Sequence, residues 1–122
     1  MRIFALVVLA LLASGCHKAE PALAGGKPID QWILALNDAN PQVRKTAVTK
    51  LGNVGPVDPA AFPALHAALN DREAVVRCEV ILALLKFGPQ AKDALPALAE
   101  IRRRDPDAKV RDYASKALAK LE

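Results

Sequence analysis

Asp71–Pro89 reads DREAVVRCEVILALLKFGP, and its pattern occurs three times in the chain. An aspartate stands five residues before a valine at Asp38/Val43, Asp71/Val76 and Asp105/Val110. An arginine follows each valine: Arg44, Arg77 and Arg111. Four residues after the valine comes Ala47, Val80 or Ala114, and eight after it Leu51, Leu84 or Leu118. Arg44 and Arg77 are each followed by Gly-Pro, at Gly55-Pro56 and Gly88-Pro89; the third equivalent falls at Glu122. The spacing of 33 and then 34 residues is that of a stacked repeat array, in which each unit buries its apolar face against the next.

Composition agrees. Apolar residues make up 52% of the chain but aromatics only 4%, so the core must be assembled from Leu, Val, Ile and Ala. Ala and Leu are the strongest helix formers, and no stretch of strand length alternates apolar with polar; the expectation is helix throughout, without β-structure. The formal charge of +4 comes with both signs interspersed, which favours anionic surfaces weakly and is not the footprint of a nucleic-acid binder.

Each repeat reads as two helices. In the first, Ile29, Trp32, Ile33 and Leu36 lie at the three-to-four spacing of an apolar stripe, Asn37–Asn40 makes the turn, and Asn40-Pro41 opens the second helix. An Asn or Asp cap followed by proline at the first helical position suits a helix start, because that proline lacks an N–H that would have gone unpaired. The same device is expected at Asp58-Pro59 and Asp105-Pro106, whereas Asn70 and Glu73 have the spacing of a capping box. Gly55-Pro56 and Gly88-Pro89 stop the second helices, glycine in a left-handed cap and proline blocking continuation. Pro63 and Pro96 sit in matching Pro-Ala-Leu triplets; a proline deep in a helix costs about 3 kcal/mol, so each belongs to a first turn or a shared kink.

On these residues, Pro-Ala-Leu, the turn aspartate, Val-Arg and the small/Leu spacing after it, residues 28–122 resemble the short bacterial form of HEAT repeats, also called the bilin-lyase type. The resemblance implies an all-α, right-handed α-solenoid of three helix pairs, over about 28–56, 57–89 and 90–122. It also implies that Asp38, Asp71 and Asp105 with Arg44, Arg77 and Arg111 form a structural ladder tying each turn to its own or the neighbouring repeat. Partly exposed pairs of this kind contribute about 0–1 kcal/mol each. A catalytic use of the same carboxylates and guanidiniums is the competing reading.

The N-terminus reads as an address. Arg2 is followed by the apolar run Ile3–Leu12 and by Leu12-Ala13-Ser14-Gly15-Cys16, the charged, apolar and small-residue parts of an export signal. The run is far short of the roughly 20 residues of a spanning helix. Small residues ending in cysteine resemble the bacterial lipoprotein lipobox, with Ala13 where leucine is more usual. That resemblance implies cleavage of 1–15, lipid on the Cys16 thiol and amino group, and, with His17 rather than Asp next, an outer-membrane location facing the periplasm. An ordinary cleaved signal, or a Cys16–Cys78 disulfide, are the competing readings. Residues 16–27, with Pro21 and Gly25-Gly26, read as a flexible tether.

Chemistry is sparse. His17 and His66 are the only histidines, and no Cys-x-x-Cys, His-Glu-x-x-His or Gly-rich phosphate loop occurs, so no metal, cofactor or catalytic set is expected. His66 reads as a solvated helix residue. Arg102, Arg103 and Arg104 end a first helix, where cations complement the dipole; with Lys109, Arg111, Lys116 and Lys120 they make the last repeat basic, a candidate contact for an anionic lipid or polymer. In the middle repeat Cys78 and Leu82 align with Lys45 and Thr49 and with Asp112 and Lys116. Either the central repeat is buried more deeply, or Cys78 and Leu82 form an exposed apolar patch for a partner. The function expected is a non-enzymatic envelope lipoprotein that offers one face to a protein partner. The alternative is a chromophore-handling or lyase-like accessory, which the bilin-lyase resemblance implies.

Overall fold

Helices follow the apolar stripes over nearly the whole described chain. The computed structural model describes residues 23–24 and 26–122; the expected export signal, the expected lipidation site Cys16, His17 and Pro21 lie outside the described residues. Six α-helices succeed one another: α1 (Ile29–Ala35), α2 (Pro41–Val54), α3 (Ala61–Ala68), α4 (Ala74–Leu84), α5 (Leu95–Arg104) and α6 (Ala108–Leu121). Two 3-10 segments, Gly55–Val57 and Leu85–Ala94, join the repeats. The second helices stack side by side, α2 on α4 and α4 on α6, with α1, α3 and α5 each packed on its own partner. This is an all-α solenoid of three helix pairs.

The core runs through the repeat positions. Ala47, Val80 and Ala114 are fully buried, as are Val76, Val110, Leu51 and Leu84, with Leu118 nearly so. Because these residues recur at 33–34, their side chains form continuous rows from one repeat into the next. Phe62 and Phe87 meet edge-on at 5.3 Å between ring centres and plug the middle of the stack, an arrangement favoured by the ring quadrupoles. Gly52 fixes the closest helix approach: a Cβ built there would lie 2.8 Å from the Cβ of Ala83, so α2 can press against α4 only with glycine at that position.

Several local expectations change. A two-residue antiparallel ladder pairs β1 (Leu23–Ala24) with β2 (Lys27–Pro28), and it packs on α1 and α2. The end of the expected tether is therefore part of the folded body, with Lys27 Nζ 4.9 Å over the Trp32 ring. Asn40 caps α2 through its side chain as expected, with Pro41 at the first position. Asp58 and Asp105, however, are not caps: α3 begins at Ala61, and α6 at Ala108 with Asp107 as its cap. The Asn70/Glu73 box does not form either, since α4 starts at Ala74 with no side-chain cap bond.

One physical reason covers the displaced helix starts. Asp38, Asp58, Asp71 and Asp105 each accept the backbone N–H two residues on, from Asn40, Ala60, Glu73 and Asp107 at 2.8–2.9 Å. They close Asx turns ahead of the helix, which displaces the helix start by two or three residues. Gly55 directly ends α2, whereas α4 already ends at Leu84 and Gly88 kinks the following Leu85–Ala94 segment; both have positive φ, 59° and 62°, but with ψ near −140° and −130° they lie outside the left-handed helical well, in a region open to glycine. Pro63 and Pro96 both fall in first turns.

Candidate functional site

Arg44 and Arg77 are the buried polar residues of the described chain, and they share a bonding pattern to which Arg44 adds one carbonyl. Arg44 Nη1 donates to the Asp38 and Ala39 carbonyls at 2.8 and 3.1 Å, while Nε and Nη2 grip the Asp71 carboxylate at 2.8 and 3.1 Å. Arg77 Nη1 donates to the Asp71 carbonyl at 2.8 Å, and its Nε and Nη2 grip Asp105 at 2.8 and 2.9 Å. Each arginine thus ties its own turn to the turn of the following repeat, by a two-pronged bond that suits the planar guanidinium. Hydrogen bonding to the carboxylate raises both guanidinium pKa values further above their ordinary range.

The side chains of both pairs are about nine-tenths or more buried, so the value for partly exposed pairs does not apply. Buried pairs are governed by desolvation, and breaking one leaves a charge stranded. Among the described residues every buried side-chain polar atom is bonded, and the rung carboxylates face guanidiniums rather than open space. Among the described residues no cluster of His, Cys, Asp and Glu could hold a metal ion.

The open surface of interest is a groove between α4 and α6. Its upper part, about 330 Å³, is lined by Val75, Cys78, Leu82 and Tyr113 with Lys45 and Lys109 at the edge. Its lower part, about 510 Å³, shares Leu82 and Tyr113 and continues over Leu85 and Ala117 to Lys116 and Lys120. Val75, Cys78, Leu82 and Leu85 are spaced three, four and three residues apart, the seam that a helix presents to another helix. Val75 is 53% exposed and Leu82 42%, both large apolar side chains standing in water.

Cys78 corrects one expectation. It is only 8% exposed and forms the floor of the groove rather than its rim; burial pushes its thiol pKa up. The two readings of the middle repeat therefore divide between its two residues, Cys78 packed into the core and Leu82 open to solvent. Val75, Leu85 and Tyr113 were missed in the sequence, although the 75–78–82–85 spacing was legible in the opening stretch.

The rim is basic in balance. Glu79 accepts the Thr49 hydroxyl at 3.0 Å, Asp107 caps α6, and Asp112 pairs with Lys116 at 2.8 Å, which raises the Lys116 pKa. Lys45, Lys109 and Lys120 have no salt bridge among the described residues. Elsewhere Arg103 and Arg104 share Glu100 at 2.9 and 3.0 Å, while Arg102 is exposed beside them; that basic end is partly neutralised. His66 is half-buried, its ring tilted 6.0 Å from that of Phe62, rather than solvated. No helix among the described residues is long and apolar enough to cross a membrane.

A family profile for HEAT repeats matches residues 29–119, all six helices. No curated protein and no solved structure gives a significant match.

Proposed function

Because the chain belongs to the HEAT repeat family, whose members commonly mediate protein–protein contacts, we propose that it is a non-enzymatic interaction scaffold held at a bacterial envelope by lipid on Cys16. The observation that carries the reading is the seam Val75–Cys78–Leu82–Leu85, laid open beside Tyr113 and flanked by lysines. An apolar centre with a charged rim is the anatomy of a protein-binding patch. Ten residues of α4 give a groove about 15 Å long, room for roughly three turns of a bound helix. Its occupant is an amphipathic helix with acidic flanks, whose apolar face meets the seam and whose carboxylates meet Lys45, Lys109 and Lys120.

The lipid anchor rests on the lipobox resemblance of Leu12–Cys16. Several acyl chains, at about 0.8 kcal/mol per buried methylene, would hold the body at the membrane essentially permanently. Intact mass of the mature protein tests it: the expected product begins at lipidated Cys16, and an unmodified Cys16 or a cut elsewhere refutes the anchor.

A photocrosslinking residue at position 82 tests the groove, with position 34 as control. Leu34 is even more exposed, at 73%, but lies on α1 away from the groove. A partner captured from position 82 and not from 34, and lost under high salt, is the expected result. Equal capture from both positions would mean that exposed leucines merely stick.

A further inference from the structure

The ladder of arginines has two unused ends that match each other. Arg111 takes the same pose as Arg44 and Arg77: its Nη1 donates to the Asp105 carbonyl at 2.6 Å, as theirs do to Asp38 and Asp71. Its Nε and Nη2, the prongs that in the other two grip an aspartate, make no bond among the described residues. At the opposite end Asp38 takes the same Asx turn as Asp71 and Asp105, accepting the Asn40 N–H at 2.8 Å. It is exposed, and no guanidinium reaches its carboxylate among the described residues.

We propose that two copies of this chain associate head to tail, Arg111 of one gripping Asp38 of the next, in the geometry of the internal Arg44–Asp71 and Arg77–Asp105 rungs. This inference is independent of the α4/α6 groove. The donor fork and the acceptor carboxylate are each already oriented by their own turn, so little side-chain freedom remains to be lost on pairing. The β1–β2 ribbon packs on α1 and α2, while Asp38 lies past the other end of α1, about 10 Å from that helix's start. Ser115 occupies the position of the buried Val48 and Ile81 on the α6 face that would meet the second copy. At that position the contact lacks the apolar residue of the internal stacks, and the Arg111–Asp38 pair is a contact of charge, so it weakens with salt. Because the two ends differ, the contact is heterologous and produces chains or closed rings rather than a two-fold dimer.

Sedimentation velocity of the full chain in membrane-mimetic detergent, over a range of concentrations, tests the proposal. Asp38→Arg and Arg111→Glu each place like charges across the contact, and each is expected to weaken self-association by more than about tenfold. An equimolar mixture of the two variants restores opposite charges at every junction and is expected to recover it. Wild-type mass that does not change with concentration overturns the proposal. So does self-association that both single variants retain, or that the mixture fails to regain while melting curves show both variants folded.

Discussion

At the scale of single residues, the arginine ladder is where sequence and structure diverge most in energy. The family resemblance made Arg77 and Asp105 legible as members of a ladder, with the partner in its own or the neighbouring repeat left open, but not their burial, because burial comes from neighbouring repeats closing over the turn. With both side chains removed from water, Arg77→Met leaves the Asp105 carboxylate stranded and is expected to destabilise by about 3–5 kcal/mol. Adding Asp105→Leu should recover part of that loss, read as a coupling in urea denaturation of the two single variants and the double. Independent effects at the two positions would mean that the rung contributes nothing as a pair. Cys78 gives a second test. Its thiol is enclosed and its pKa raised by burial, so the thiolate fraction at neutral pH is lower than in a free cysteine. Thiol reagents read at the Cys78 peptide should react slowly with folded protein and speed up on unfolding; equal rates in both states would put Cys78 on the surface.

At the scale of helices, the register of α2 on α4 is set by Gly52 against Ala83. Alanine is the better helix former by about 1 kcal/mol, so Gly52→Ala would stabilise an isolated helix. In this stack the new methyl has no space, and the substitution is expected to lower stability instead, with Ala83→Gly offsetting part of the effect in a double-mutant cycle. A stabilised Gly52→Ala would show that the two helices are not in close contact. Helix existence was legible here because Ala47, Val48 and Leu51 repeat at 3.6-residue spacing. Helix starts were less so. An aspartate closing an Asx turn and one capping a helix look alike in sequence, because both accept a backbone N–H two residues on. The β1–β2 ladder was not legible at all, since two residues per strand cannot show an alternation.

At the scale of the whole molecule, three repeats are about the minimum that can bury a shared core, and the middle one bears contacts on both sides. Leu84→Ala is therefore expected to cost about 2–5 kcal/mol, and Leu118→Ala less, because α6 packs against only one neighbouring second helix; equal losses would argue against a stack. The same arrangement explains why the openness of the α4 seam was not legible residue by residue: Cys78 is buried and Leu82 open, and that depends on how far α6 leans over α4. On the proposed function, the open part of this seam exists for a partner and not for the fold. Leu82→Glu measures that directly, with the melting temperature and the affinity for the partner crosslinked at position 82 determined on the same preparation. The expected result is a melting temperature within about 2 °C of wild type and affinity reduced more than about tenfold. A large drop in melting temperature, or undiminished binding, would contradict it.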